Sequence, residues 1–115
     1  MGKKTTYDTY EESTIVANSQ LVTELPTIPA GKVARVLKFG GYDSLTADGL
    51  SGIISLQFED GEGGWKTLRA GGHGCFEFLI NEDFVFPEPR KFRIVRVNKS
   101  KDPKEMFVWS NIVLL

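Results

Sequence analysis

Apolar residues recur at every second position in run after run of this chain, and no window repeats them at three and four over two helical turns. Successive side chains of a strand point to opposite faces, so this period predicts an all-β chain. It excludes the crossover helices that parallel βαβ units need. "TIVANSQLVTEL" (14–25) predicts one long or two short strands, and "KVARVLKF" (32–39) puts Val33, Leu37 and Phe39 on one face. "GIISLQFED" (52–60) sends Ile54, Leu56 and Phe58 inward and Ser55 and Gln57 outward. The turn "DGEGG" (60–64) then joins it to "WKTLR" (65–69) as a hairpin. "CFEFLI" (75–80) alternates through Phe76, Phe78 and Ile80, and "KFRIVRVN" (91–98) is rich in branched residues. After the polar turn "KSKDPKE", "MFVWSNIVLL" (106–115) reads as a buried strand inside a sheet, with Trp109 in the core.

Seven or eight such runs, spaced about 8–12 residues apart, match an antiparallel sandwich or barrel. The expected fold is a single jelly-roll-like antiparallel β-sandwich over residues 14–115. Residues 1–13 are polar and show no period, so they are expected to form a flexible N-terminal arm. Tyr7 and Tyr10 in that arm are candidates for ordering against a neighbouring subunit.

At 115 residues the chain supports one core, and its single cysteine forbids an internal disulfide, so packing alone must hold the fold. No apolar run approaches the ~18 residues of a membrane span. The basic start "MGKK" has no apolar segment behind it, which argues against a secretory signal. The opening also fits the loose myristoylation pattern through Gly2 and Thr6, a pattern short enough to match by chance. The expectation is a protein made in a reducing cytoplasm, with no membrane partner.

Net charge is −1, yet the charges are segregated. Residues 40–89 hold nine acids against two bases, and residues 90–104 hold seven bases against one acid. Either neighbouring strands pair these charges within one molecule, or two faces of opposite sign favour contact between copies. On the second reading Arg93 and Arg96 join Tyr7 and Tyr10 as interface candidates. A nucleic-acid partner is not expected, because Arg93 and Arg96 lie on opposite faces of one strand and the isoelectric point is near 5.8.

The stretch "RAGGHGCFEF" (69–78) contains the chain's one histidine and one cysteine. A zinc site needs about four N, S or O ligands, and His73 with Cys75 supplies two. A Cys–His hydrolase also needs an orienting group and an oxyanion hole, and a phosphate cradle needs a following helix; neither is recognisable here. The expected role is a glycine-permitted reversal that feeds the 75–80 strand. His73 remains a metal candidate only if a symmetric oligomer gathers several copies of it at an axis. The acid-rich stretches "EDGEGG", "NEDF" and "GYDSLTADG" offer oxygens for calcium without the spacing of an EF-hand loop, and turns use the same residues. No catalytic residue and no cofactor are expected. A sugar-binding module would need solvent-exposed aromatics on one face, for which Trp65 and then Tyr42 are the candidates.

Three blocks, "IPAGKVARVLKFGGYDS", "GIISLQFEDGEGGWKTLRAGG" and "RKFRIVRVNKSK", together resemble the small all-β virion proteins encoded among the head and tail genes of tailed bacteriophages. The resemblance spans roughly residues 28–101. It implies a β-sandwich that oligomerises, often as a trimer, and decorates a capsid or forms part of a tail or fibre. It assigns no individual residue a role. The expected function is therefore a non-enzymatic virion component that self-associates and docks on other virion subunits. The alternative is a carbohydrate-binding β-sandwich module.

Overall fold

The computed structural model describes residues 5–44, 52–72 and 74–115. They form eight strands: β1 (Thr5–Ile15), β2 (Ser19–Ile28), β3 (Val33–Asp43), β4 (Ile53–Glu59), β5 (Trp65–Gly71), β6 (Gly74–Val85), β7 (Arg90–Asn98) and β8 (Lys104–Leu114). Every pairing is antiparallel. The strands make two four-stranded sheets, ordered β1-β8-β3-β6 and β2-β7-β4-β5. The chain changes sheet at every connection except β4–β5, which gives the jelly-roll form of the sandwich. The β4–β5 hairpin and the inner position of β8 agree with the alternation pattern.

Side chains from both inner faces fill the space between the sheets. Ile28, Val36, Phe39, Ile54, Leu56, Phe92, Ile94, Met106 and Val108 have no measurable exposure. Two groups of aromatic rings pack toward opposite ends of β6. Phe39, Phe76 and Phe78 have centroids 5.7–6.4 Å apart, and Phe58, Phe84, Phe86 and Phe92 meet at 5.4–6.1 Å. Edge-to-face and offset contacts at these spacings add about 0.5–1.5 kcal/mol per pair beyond area burial.

Residues 5–13 are not a free arm. They form most of β1, paired in unbroken register with β8 from Thr5 opposite Leu114 to Ile15 opposite Lys104. The inward positions of β1 are Tyr7, Thr9, Glu11, Ser13 and Ile15, so its alternation is largely polar and carries little hydrophobic signal. Backbone hydrogen bonds to a central strand hold it. Residues 14–25 divide at a turn, with Asn18 at φ 54° between β1 and β2.

In β3 the buried set is Ala34, Val36 and Phe39, where Val33, Leu37 and Phe39 were expected on one face. The register slips between Val36 and Lys38 against both β6 and β8. A bulge at Leu37 therefore reverses the parity midway and carries Phe39 inward with its even-numbered neighbours. Opposite it, β6 holds Asn81 at φ 51°, a left-handed conformation that asparagine tolerates well. Another bulge, in β2 between Glu24 and Thr27, accommodates Pro26, which has no N–H to donate and sits on an edge strand.

Candidate functional site: an aromatic outer face

The outward residues of the β1-β8-β3-β6 sheet follow from register alone. One row across the sheet reads Tyr10, Trp109, Gly40 and Glu77, and the next reads Glu12, Phe107, Tyr42 and Cys75. Trp109 was expected in the core and instead lies on this outer face. Met106, Val108, Ser110 and Ile112 take the inner positions of β8, which turns Phe107, Trp109 and Asn111 outward.

The two rows are built as a surface. Gly40 has no side chain, and a Cβ there would collide with the Trp109 indole, so the glycine is the seat on which the indole rests. The indole Nε1–H donates to Glu77 Oε2 at 2.7 Å, fixing the ring between β8 and β6. Tyr10, 61% exposed on the edge strand, donates its hydroxyl to Glu12 Oε1 at 2.7 Å. That hydrogen bond, with the nearby Glu12 charge, holds the Tyr10 phenol above its ordinary pKa. Tyr42 packs on Phe107 with centroids 5.5 Å apart. Asn111 donates to Asp8, and an open recess of ≈ 240 Å³ lies beside Phe107, lined also by Glu12, Thr14 and Glu105.

The other outer face is different. On β2-β7-β4-β5 the outward rows run Gln20, Val97, Ile53 and Val22, Val95, Ser55, Ala70, then Glu24, Arg93, Gln57, Thr67. Val22 and Ile53 are each 38% exposed. Trp65 lies on this side, covered by the Arg93 guanidinium 4.0 Å from its ring centre. Arg93 also donates to Gln57 at 2.8 Å, so it caps Trp65 in place. Of the two sugar-binding candidates, Trp65 is thus occupied and Tyr42 belongs to the aromatic face; the two lie on different sheets.

The interface candidates also separate. Tyr10 and Arg93 reach the surface, on opposite sheets. Tyr7 turns inward against the core. Arg96 is wholly buried between the sheets and is unsuited to an interface. Its guanidinium donates to the Met106 carbonyl at 2.7 Å and to Thr23 Oγ1 at 3.1 Å, with Glu11 at 3.7 Å. Burial lowers its pKa and Glu11 opposes that.

An ion pair joins the two charged blocks, and others tie them to the rest of the molecule. Lys104 and Asp43, both buried, meet at 2.8 Å, and Asp43 also accepts the Gly52 N–H at 2.7 Å. Asp83 pairs with Arg35 and Glu82 with Arg69. The calcium candidates "EDGEGG" and "NEDF" have partners of the same kind. The Asp60 carboxylate accepts the Glu62 and Gly64 N–H groups of its own turn, which holds it below the usual carboxylate range. Among the described residues no group of three or more His, Cys, Asp or Glu side chains is placed to hold a metal ion. Cys75 is exposed, while His73, Gly2 and residues 45–49 of "GYDSLTADG" lie outside the described residues.

No family model and no curated protein matches the sequence. Two solved structures share the architecture. The crystal structure of PirA aligns over 88% of this chain and 92% of its own, at TM-score 0.51 and 17% identity. That of the Yersinia pseudotuberculosis-derived mitogen aligns over 90% of this chain and 83% of its own, at TM-score 0.54 and 12% identity. At these identities the likeness is one of fold: the chain is an eight-stranded antiparallel β-sandwich.

Proposed function

We propose that the protein is a non-enzymatic structural component of a phage virion, made in the host cytoplasm, which acts by self-association and by docking on other virion subunits. The observation that carries the proposal is the aliphatic patch of Val22, Val97 and Ile53 on the outer face of β2-β7-β4-β5, with Val95 buried between them. A second copy of the chain is its occupant. Branched aliphatics on a flat sheet face pack well against their like, at about 25 cal/mol per Å² removed from water. The adjoining row carries both signs, Glu24 beside Arg93 and Lys91, so the border of the patch can meet either sign on a second copy. The resemblance of the three sequence blocks to small all-β virion proteins supplies the virion setting, and there implies a trimer as the common state. On this reading the partners are proteins, and neither nucleic acid nor membrane is required.

Light scattering of the purified chain tests self-association. A stable oligomer is expected, and Val22→Asp with Ile53→Asp is expected to dissociate it while the melting curve holds. A strict monomer at high concentration overturns the proposal.

A second reading, a carbohydrate-binding module, is favoured by a separate observation. The row of aromatic side chains with neighbouring acceptors lies on the other sheet, away from the aliphatic patch.

A further inference from the structure

We infer that the outer face of β1-β8-β3-β6 is the binding platform for a neutral oligosaccharide, with Trp109 and Tyr10 as its stacking residues and Glu77 and Glu12 as its hydroxyl acceptors. This deepens the carbohydrate reading, on which it rests for ligand class, by assigning the site to a face and to residues.

The geometry of the indole comes first. Side chains on a sheet normally stand away from it, but Trp109 rests over Gly40, and its Nε1–H is held by Glu77. An indole seated this way turns part of one ring face to solvent. Tyr10 is its direct cross-strand neighbour, and Phe107 follows two residues along β8, about 7 Å away at strand rise. The aromatic groups thus form a shallow platform and do not enclose a point. Such a platform suits the flat C–H face of a pyranose, whereas a quaternary ammonium is best held by rings that surround it.

The acceptors come second. The carboxylates of Glu77, Glu12 and Asp8 each take one hydrogen bond from a neutral donor of the platform itself: the Trp109 indole, the Tyr10 hydroxyl and the Asn111 amide. Each keeps further lone pairs for a ligand hydroxyl, since an ionised carboxylate offers about four acceptor sites. A sugar supplies such donors at the rim of an apolar ring. An apolar protein surface does not, and would bury these carboxylates at a cost. Another copy of the chain is therefore a poor occupant here.

Charge comes third. Asp8, Glu12, Glu77 and Glu105 lie on this face or beside its recess, against Lys38 and an Arg35 already paired with Asp83. Sulfated or sialylated glycans would be repelled. Stacking residues held before binding also reduce the ordering cost of association.

Titration of the full chain with linear neutral hexasaccharides of glucose, N-acetylglucosamine and galactose, read by tryptophan fluorescence and calorimetry, tests the assignment. At least one probe is expected to bind. Tyr10→Ala and Trp109→Ala are each expected to weaken it by about tenfold or more, Glu77→Gln less, and Trp65→Ala not at all. Tyr10 is well exposed on an edge strand, so its variant reports on binding even where Trp109→Ala disturbs the sheet. Binding that Trp65→Ala abolishes and Tyr10→Ala spares overturns the platform while leaving the carbohydrate reading standing. Failure of every neutral probe overturns both. Binding of choline or a lysine-rich peptide at this face, in place of the sugars, overturns the ligand class.

Discussion

The two outer faces of this sandwich are made by the same device, every second residue of four antiparallel strands, yet they differ in chemistry. The β1-β8-β3-β6 face carries Tyr10, Trp109, Phe107 and Tyr42 among unneutralised carboxylates. The β2-β7-β4-β5 face carries valines and isoleucine, and its one tryptophan lies under an arginine. Aromatic rings interleaved with acceptors suit a hydroxyl-rich ligand, and branched aliphatics suit another sheet. The comparison teaches that exposed aromatic residues in a β-sandwich are not equivalent. What differs is the neighbour each half-buried ring has: the Arg93 guanidinium stacks on Trp65, whereas Trp109 lies over Gly40 and is held by Glu77.

The largest expected effect breaks both faces together. Lys104→Ala removes the ammonium that Asp43 meets in the interior, where each partner has no side-chain exposure. Loss of one partner of such a pair costs about 3–5 kcal/mol. Thermal unfolding is expected to shift down by roughly 10 °C or more, with sugar binding and self-association lost in proportion. Phe39→Ala, a truncation in the centre of the core, is expected to cost a similar 3–5 kcal/mol.

Val22→Asp, placed on the aliphatic face alone, separates the two faces. Association is expected to weaken by about tenfold or more, or about 1.4 kcal/mol, measured by sedimentation, while hexasaccharide titrations stay unchanged. A smaller effect sharpens the contrast between the tryptophans. Arg93→Ala removes a cation–π contact worth about 0.5–1 kcal/mol at an exposed site and uncovers the Trp65 ring. A changed fluorescence maximum with a nearly unchanged melting temperature is the expected outcome.

The smallest effect concerns acid. Asp60 and Asp83 both have pKa values lowered in the fold, Asp60 by the Glu62 and Gly64 N–H groups and Asp83 by Arg35. Their contribution is present above the unfolded value of 3.8 and is lost as pH falls through the lower folded value. Asp60→Asn is therefore expected to lower stability near neutral pH slightly and to flatten the fall below about pH 4. Melting temperatures measured across pH 2–7 check it.

How much was legible depended on whether the signal was local. The strands from Ile53 to Glu59 and from Arg90 to Asn98 declare themselves, because Ile54, Leu56, Phe92 and Ile94 alternate in sequence and are buried in the fold. The turn at Asp60–Gly64 is equally local, with its aspartate bonding to its own backbone. Residues 5–13 were not legible, because an edge strand with Thr9, Glu11 and Ser13 facing inward lacks the apolar alternation by which strands are recognised. Trp109 was hidden for the opposite reason: "MFVWSNIVLL" is apolar on both parities, so composition cannot say which side faces the core. The signal available was Asn111, which shares parity with Trp109 and argues for the outside. Arg96 was misjudged because residue type favours the surface, whereas its position follows Phe92 and Ile94 inward.

By itself the sequence determined that this chain is all-β, where most of its turns lie, and which residues of its cleanly alternating strands face inward. Period-two burial and turn chemistry act over a few residues, so they can be read along the chain. Only the tertiary structure decided that β1 joins the sheet and that the bulge at Leu37 reverses β3. It also decided that Gly40, Glu77 and Trp109, far apart in the chain, meet across three strands. Those outcomes are set by strand order and register, which long-range pairing alone specifies.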